Sequence, residues 1–177
     1  LAEDIGEGDH SSLACIPSEA TGNAKLLVKE HGVLAGVRVA GEIFAIVDKD
    51  LKCEILLLDG TEVSPGDIAF IVSGSQQSIL KSERLTLNIM QRMSGIATST
   101  HEYAEKLKGL KTKILDTRKT TPGFRSLEKE AVRIGGGINH RMGLYDMIML
   151  KDNHIDYAGG IERAILSTRD YLRKNNL

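Results

Sequence analysis

The sequence predicts two α/β parts in tandem: a small α+β unit, and after it the beginning of a parallel sheet or barrel. Three observations predict this. Short apolar runs and helical stripes alternate irregularly up to about residue 108. From Lys113 a strand–helix–strand–helix rhythm takes over, which is the pattern of βαβ units. Glycine is abundant, at 18 residues, and proline rare, at 3, which suits a chain whose backbones approach closely.

In the first part, Leu1 to Ser12 is polar and acidic and reads as loop. Ala24 to Lys29 reads as a strand. From Val37 to Val47 the apolar residues Val39, Ile43, Phe44, Ile46 and Val47 follow helical spacing more closely than alternation. Cys53 to Leu58 and Asp67 to Ser73 read as strands, with a turn at Ser64-Pro65-Gly66 between them. Ser82 is the expected N-cap of the next helix, whose stripe Leu85, Ile89, Met93 and Ile96 runs on to about Lys108, with a break expected near Ser94-Gly95. In the second part, Lys113 to Asp116 and Met147 to Leu150 are the expected strands. Phe124, Leu127, Ala131 and Ile134 mark one helix, ending at Gly135-Gly136-Gly137, and Ile161, Ala164, Ile165, Thr168 and Leu172 mark another. The domains are thus expected at 1–108 and 109–177.

The 177 residues fit one large domain or two small ones, and a hydrophobic share of 41% excludes a disordered chain. Cys15 and Cys53 have no metal or redox spacing and read as reduced, buried thiols of a cytoplasmic protein. No apolar run approaches the roughly 20 residues of a membrane helix, and no signal-peptide pattern opens the chain. The first residue is Leu1, so the natural N-terminus is expected to be missing. A net charge of −1 gives no general attraction to nucleic acid. The distribution says more. Residues 111–151 hold nine Lys or Arg and four Asp or Glu, so this block carries +5 and the remainder −6.

Active sites of parallel α/β folds lie beyond the C-terminal ends of the strands. Asp116-Thr117-Arg118-Lys119-Thr120 and Lys151-Asp152-Asn153-His154 hold that position here, and Asn139-His140-Arg141 precedes the second strand. Arg118, Lys119, His140, Arg141 and Lys151 could therefore converge on one cleft. Clustered cations repel unless an anion joins them, and Arg matches carboxylate or phosphate as a planar fork. A solvated cationic face is the competing reading. The Gly135–Gly137 run would let backbone approach a phosphate or simply cap a helix. His10 among Asp4, Glu7 and Asp9 could be read as a metal site, but an exposed acidic loop is the simpler reading. No Ser-His-Asp or Cys-His arrangement emerges.

Five blocks carry a resemblance: Glu3 to Asp9 (EDIGEGD), Ser82-Glu83-Arg84, Asn88 to Thr98 (NIMQRMSGIAT), Lys113 to Gly123 (KILDTRKTTPG) and Glu128 to His154 (EKEAVRIGGGINHRMGLYDMIMLKDNH). Together they resemble the quinolinate phosphoribosyltransferase family over nearly the whole chain. The resemblance implies an N-terminal α+β sandwich-like domain followed by the start of an open α/β barrel. That barrel is expected to be incomplete in this chain, because a full one takes roughly 200–250 residues. The absence of an acidic pair ending in Thr-Gly also favours the barrel type over Rossmann-like phosphoribosyltransferases.

The implied activity is transfer of phosphoribosyl from phosphoribosyl pyrophosphate to quinolinate with decarboxylation, giving nicotinate mononucleotide for NAD biosynthesis. The family pattern places Arg84, donated by a neighbouring subunit of a homodimer or larger homo-oligomer, with Arg118, His140, Arg141 and Lys151 around the quinolinate carboxylates. It places Thr117, Arg118 and Lys119 at the substrate cleft. Lys119 and Lys151 reach toward phosphoribosyl pyrophosphate as the catalytic lysines. Mg²⁺ is implied, with ligands beyond Leu177, so the 177 residues alone are expected to be inactive. A homologue linked to molybdenum transport and a non-catalytic anion-binding fragment are the alternatives, and the full cationic set argues against the former.

Overall fold

The apolar runs of the first part fold around one central strand. The computed structural model describes all 177 residues, in two units, Leu1–His140 and Arg141–Leu177. The first unit begins with α1 (Ala2–Ile5), α2 (His10–Cys15), β1 (Thr21–Leu27), β2 (Gly32–Val33) and α3 (Val37–Val47). It continues with β3 (Lys52–Ile55), β4 (Glu62–Val63), β5 (Ile68–Ser75), α4 (Gln76–Lys106) and α5 (Arg125–Ile134). β5 lies between β1 and β3 in an antiparallel sheet, and β2 pairs with β4. Ala69, Phe70 and Val72 of β5 meet Val37, Ala40 and Phe44 of α3 and Ile79 and Met90 of α4 in the main core. Phe44 and Phe70 pack edge to face, 5.5 Å between centroids.

The predicted helix at Val37–Val47 is present with the same bounds. Its start follows from two features. Gly36 turns with φ +96°, and a Cβ there would lie 3.2 Å from Met90 and Met93, so the position demands glycine. Asp59 then accepts the Val37 N–H at 2.8 Å and the Arg38 N–H at 3.3 Å, capping the helix from another loop. The Ser64-Pro65-Gly66 turn also forms, closed by Asp67 N–H to Ser64 C=O.

Several expectations need correction. The opening is not loop, because Asp9 accepts the Ser12 N–H and nucleates α2. Its carboxyl is held below the usual range by the Ser12 hydroxyl and then the Ser12 amide. Asp9 is thereby engaged as a helix cap, and no trio of His, Cys, Asp or Glu is grouped to hold a metal. α4 starts at Gln76 with Ser75 as N-cap, so Ser82 lies well inside the helix. Ser82 is fully buried and donates its hydroxyl back to the Ile79 and Ser78 carbonyls, an alternative use of a helix hydroxyl.

α4 is also unbroken at Ser94-Gly95. Ser94 and Thr98 turn their hydroxyls onto the backbone of Ala35 and Val33, which ties the helix to β2 without interrupting it. Cys15 is exposed rather than buried, since it ends a short surface helix. Cys53 is half-buried, and burial pushes its thiol up.

Neither expected strand of the second part forms a ladder. Leu115 makes a single parallel bridge to Ile138, and Met147–Leu150 has none. A parallel strand exists only through a neighbour, and the chain provides Leu115 one partner and Met147–Leu150 none. The second unit instead contains α6 (Asp152–Ala158), directly after the segment expected as the second strand, and the expected α7 (Ile161–Asn175). No helix is long and apolar enough to cross a membrane.

Candidate functional site

The Leu115–Ile138 bridge brings two polar segments side by side, and a buried ion pair fixes them. Asp116 donates its N–H to Ile138 C=O at 3.2 Å, and Ile138 donates to Ile114 C=O at 2.8 Å. Lys129 of α5 reaches the same point with its side chain only 1% exposed. Its ammonium lies 2.5 Å from Asp116 Oδ1 and 3.0 Å from the His140 carbonyl. The same Asp116 oxygen accepts the His140 N–H at 2.8 Å. The Asn139 amide, with its nitrogen turned inward, donates to Asp116 Oδ2 at 2.9 Å and to Lys129 C=O at 2.8 Å. A buried charge survives only when paired and hydrogen-bonded, and here both partners are.

From Asp116 the chain runs into Thr117-Arg118-Lys119. Thr117 Oγ1 accepts the Lys119 N–H at 3.0 Å in a local turn. Arg125 Nε donates to Thr120 Oγ1 at 3.1 Å. Glu128 accepts Arg92 at 2.8 Å through one oxygen and the Thr121 N–H at 3.2 Å through the other. Burial pushes the Glu128 carboxyl up, but the hydrogen bonds from Arg92 and Thr121 outweigh it and hold the group below its usual range. The loop is thus strapped down at both ends. At its centre, Arg118 Nε is buried and donates to no protein group.

The Gly135–Gly137 run serves packing. Gly136 has φ +89° and donates to Arg133 C=O while Gly137 donates to Val132 C=O, a Schellman end to α5. A Cβ on Gly135 would sit 2.3 Å from the Ala97 carbonyl of α4. These glycines let α5 lie against α4, which places Lys129.

The structure therefore brings the His140 backbone beside Asp116, the residue that leads into Thr117, Arg118 and Lys119, within the first unit. Arg84 stands exposed on α4 and forms no hydrogen bond with that loop. Arg141 and Lys151 belong to the second unit. There Arg141 Nη1 donates to Met147 C=O at 3.1 Å, and Asp146 accepts the N–H groups of Gly143 at 2.8 Å and Met142 at 2.7 Å. The amides of Gly143 and then Met142 hold the Asp146 carboxyl low. Lys151 is exposed at the N-terminus of α6, and its N–H donates to His154 Nδ1 at 3.1 Å, which leaves the other imidazole nitrogen as the protonated one in the neutral ring.

None of Arg84, Arg118, Lys119, Arg141 and Lys151 is in a salt bridge, whereas the nearby Arg92, Lys129 and Arg133 are. Arginine and lysine side chains without a carboxylate partner can bind the oxygens of an anion. A cavity of about 570 Å³ lies between α4 and Leu26–Leu34 and includes Met90, Ser94 and Thr98.

Comparison with known proteins gives the family. Residues 9–94 match the N-terminal domain of quinolinate phosphoribosyl transferase, and residues 96–177 match its C-terminal domain. The chain is 49% identical over 178 aligned positions to a tobacco (Nicotiana tabacum) protein named quinolinate phosphoribosyltransferase (decarboxylating) 2b, mitochondrial, covering 100% of this chain and 50% of that one. A Synechocystis protein named probable nicotinate-nucleotide pyrophosphorylase (carboxylating) is 42% identical, over 97% of this chain and 58% of its own length. The crystal structure of NadC from Streptococcus pyogenes superposes with a TM-score of 0.91 at 42% identity, covering 96% of this chain and 60% of that one. The chain spans about half the length of the tobacco relative. Since both family domains match in order and between them account for nearly every residue, the chain belongs to the quinolinate phosphoribosyltransferase family.

Proposed function

We propose that this chain is the quinolinate-binding part of a quinolinate phosphoribosyltransferase of NAD biosynthesis. The observation that carries the reading is the strapped Thr117–Lys119 loop, where Arg118 keeps a buried Nε with no protein acceptor beside an exposed, unpaired Lys119. Quinolinate has two carboxylates and so matches several cations at once. Arg118, His140, Arg141 and Lys151 bind them, with Arg84 from a neighbouring subunit, and Lys119 and Lys151 act toward phosphoribosyl pyrophosphate. Leu115 and Met147–Leu150 then open an α/β barrel, and the relatives' shared domains support that reading.

The residues bind and orient. The quinolinate nitrogen attacks the anomeric carbon of phosphoribosyl pyrophosphate, and pyrophosphate leaves with the bonding pair. The quaternised ring then accepts the electron pair released as the adjacent carboxylate departs as CO₂, and that ring carbon takes up a proton. Cations held in place supply charge balance and orientation without a protein nucleophile. The acid that adjoins the cationic set in sequence, Asp152, is a single exposed carboxylate beside Lys151, a poor partner for Mg²⁺, which favours one or two carboxylates together with substrate phosphates. We place its ligands outside these 177 residues, so the isolated chain is inactive, and the working enzyme in the cytoplasm.

The test uses the full-length protein. It should release pyrophosphate from quinolinate and phosphoribosyl pyrophosphate. By calorimetry it should bind quinolinate roughly tenfold to a hundredfold more tightly than nicotinate, because the lost carboxylate leaves cations unpaired. Equal affinities would overturn the dicarboxylate reading.

A further inference from the structure

A buried ion pair often contributes little net stability, and an apolar pair of similar volume can serve as well. The Asp116–Lys129 pair therefore calls for a reason other than stability, and its geometry offers one. Lys129 Nζ holds the His140 carbonyl, and Asp116 Oδ1 holds the His140 N–H, so one ion pair grips both backbone polar groups of a single residue. That grip fixes the Cα of His140 while leaving its imidazole outside the hydrogen bonds of the clasp. The same carboxylate precedes Thr117, so the root of the Arg118–Lys119 loop and the His140 backbone share one anchor. Asn139 completes the arrangement by occupying the second Asp116 oxygen. Both Asp116 oxygens are thus engaged within the clasp.

We propose that Asp116 and Lys129 are positioning residues that set the distance between the His140 imidazole and the Thr117–Lys119 loop, and so tune the site to its dicarboxylate. This rests on the functional reading above. Supporting groups of this kind typically matter as much as the groups they orient.

The experiment compares full-length protein with the Asp116→Asn/Lys129→Met double variant, which removes both buried charges and keeps similar volumes. The carboxamide oxygen introduced by Asp116→Asn can still accept the His140 N–H, but the grip on the His140 carbonyl is lost. A purely structural role predicts a change in melting temperature and an unaltered KM in the protein that remains folded. The positioning role predicts the reverse, with a melting temperature near the parent's and a quinolinate KM raised roughly tenfold or more. A folded double variant whose quinolinate KM lies within about twofold of the parent's would overturn the proposal.

The His140 ring carbon resonance gives a second readout that needs no turnover. It should be single and narrow in the parent, and displaced or broadened in the variant. An unchanged resonance counts against the proposal even if the parent proves inactive, which separates this inference from the functional one. If the double variant does not fold, Asn139→Ala carries the test. It frees one Asp116 oxygen and should raise KM roughly threefold or more, and an unaltered KM overturns the idea.

Discussion

Leu1–His140 and Arg141–Leu177 draw on similar apolar residues, yet only the first closes a core. Every buried apolar residue except Ala164 lies in the first unit. In the second, Leu144, Met147, Ile148, Ile161 and Leu166 remain 44–68% exposed. The difference lies in the partners. β5 has a strand on each side and shares a core with α3 and α4, whereas Met147–Leu150 has no strand beside it and α7 no sheet to cover. Helix and strand propensity are local properties, but burial is supplied by neighbours. Of the proposed site residues, Arg84 sits on the closed unit's long helix, and Arg141 and Lys151 belong to the open unit.

The largest expected effect tests whether a site is shared between subunits. In the full-length protein, Arg84→Ala and Arg118→Ala should each lower activity by roughly a hundredfold or more, since each strips a charge partner from a buried carboxylate. If Arg84 completes a neighbour's site, mixing the two variants under subunit exchange should restore up to about a quarter of parental activity. Half the dimers are then mixed, and each mixed dimer has one intact site. Verified exchange with no recovery would place Arg84 outside a shared site.

The stability of the two units should differ next most. Met93 is 1% exposed in the second core cluster with Val33, Ile43 and Ala97. Met93→Ala should cost about 3–5 kcal/mol by urea unfolding of the 177-residue chain. Ile165, on the apolar stripe of α7 but 40% exposed, should cost about 1 kcal/mol or less when replaced by Ala in the same chain. In the full-length protein that value should rise to about 2–4 kcal/mol if a barrel sheet covers the stripe. Equal costs in both would mean that α7 has no sheet to meet.

What the sequence made legible divides along the same line. Val37–Val47 was readable because its stripe has a covering sheet, so period and burial agree. Lys113–Asp116 and Met147–Leu150 have the composition of buried strands, but composition cannot supply the neighbour that makes a ladder. The cationic loop residues Arg118, Lys119 and His140 were visible from charge clustering. Arg84 was not, because an exposed arginine on a helix looks like any other, and only the family resemblance singles it out. Asp116 and Asn139 stood in the candidate segments, but their pairing with Lys129 was not readable because it is tertiary, and Lys129 lies off the stripe of Phe124, Leu127, Ala131 and Ile134. Glu128 gave the one usable signal. It falls a turn after Phe124, on the helix's buried face, where a carboxylate needs a partner.

That partner sets the smallest effect, at the seam where α4 of the closed core meets the loop leading to the site. The hydrogen bonds from Arg92 and Thr121 hold the Glu128 carboxyl below its usual 4.5 despite the opposing effect of burial. A carboxyl whose folded value is depressed contributes stability that is fully present above the unfolded value and is lost as pH falls through the folded value. Arg92 is half-exposed, with a side chain 53% accessible, so solvent screens the pair and its worth is modest. Glu128→Gln should therefore cost about 1–2 kcal/mol at pH 7 by urea unfolding. The gap should narrow as pH drops below the usual carboxyl range, where the parent's own Glu128 becomes neutral. Thr121 keeps an acceptor in the glutamine variant, so what disappears is the charged share of the contact. A gap that stays constant down to the acid limit would mean that shape, not charge, fastens the Thr121 loop to α4.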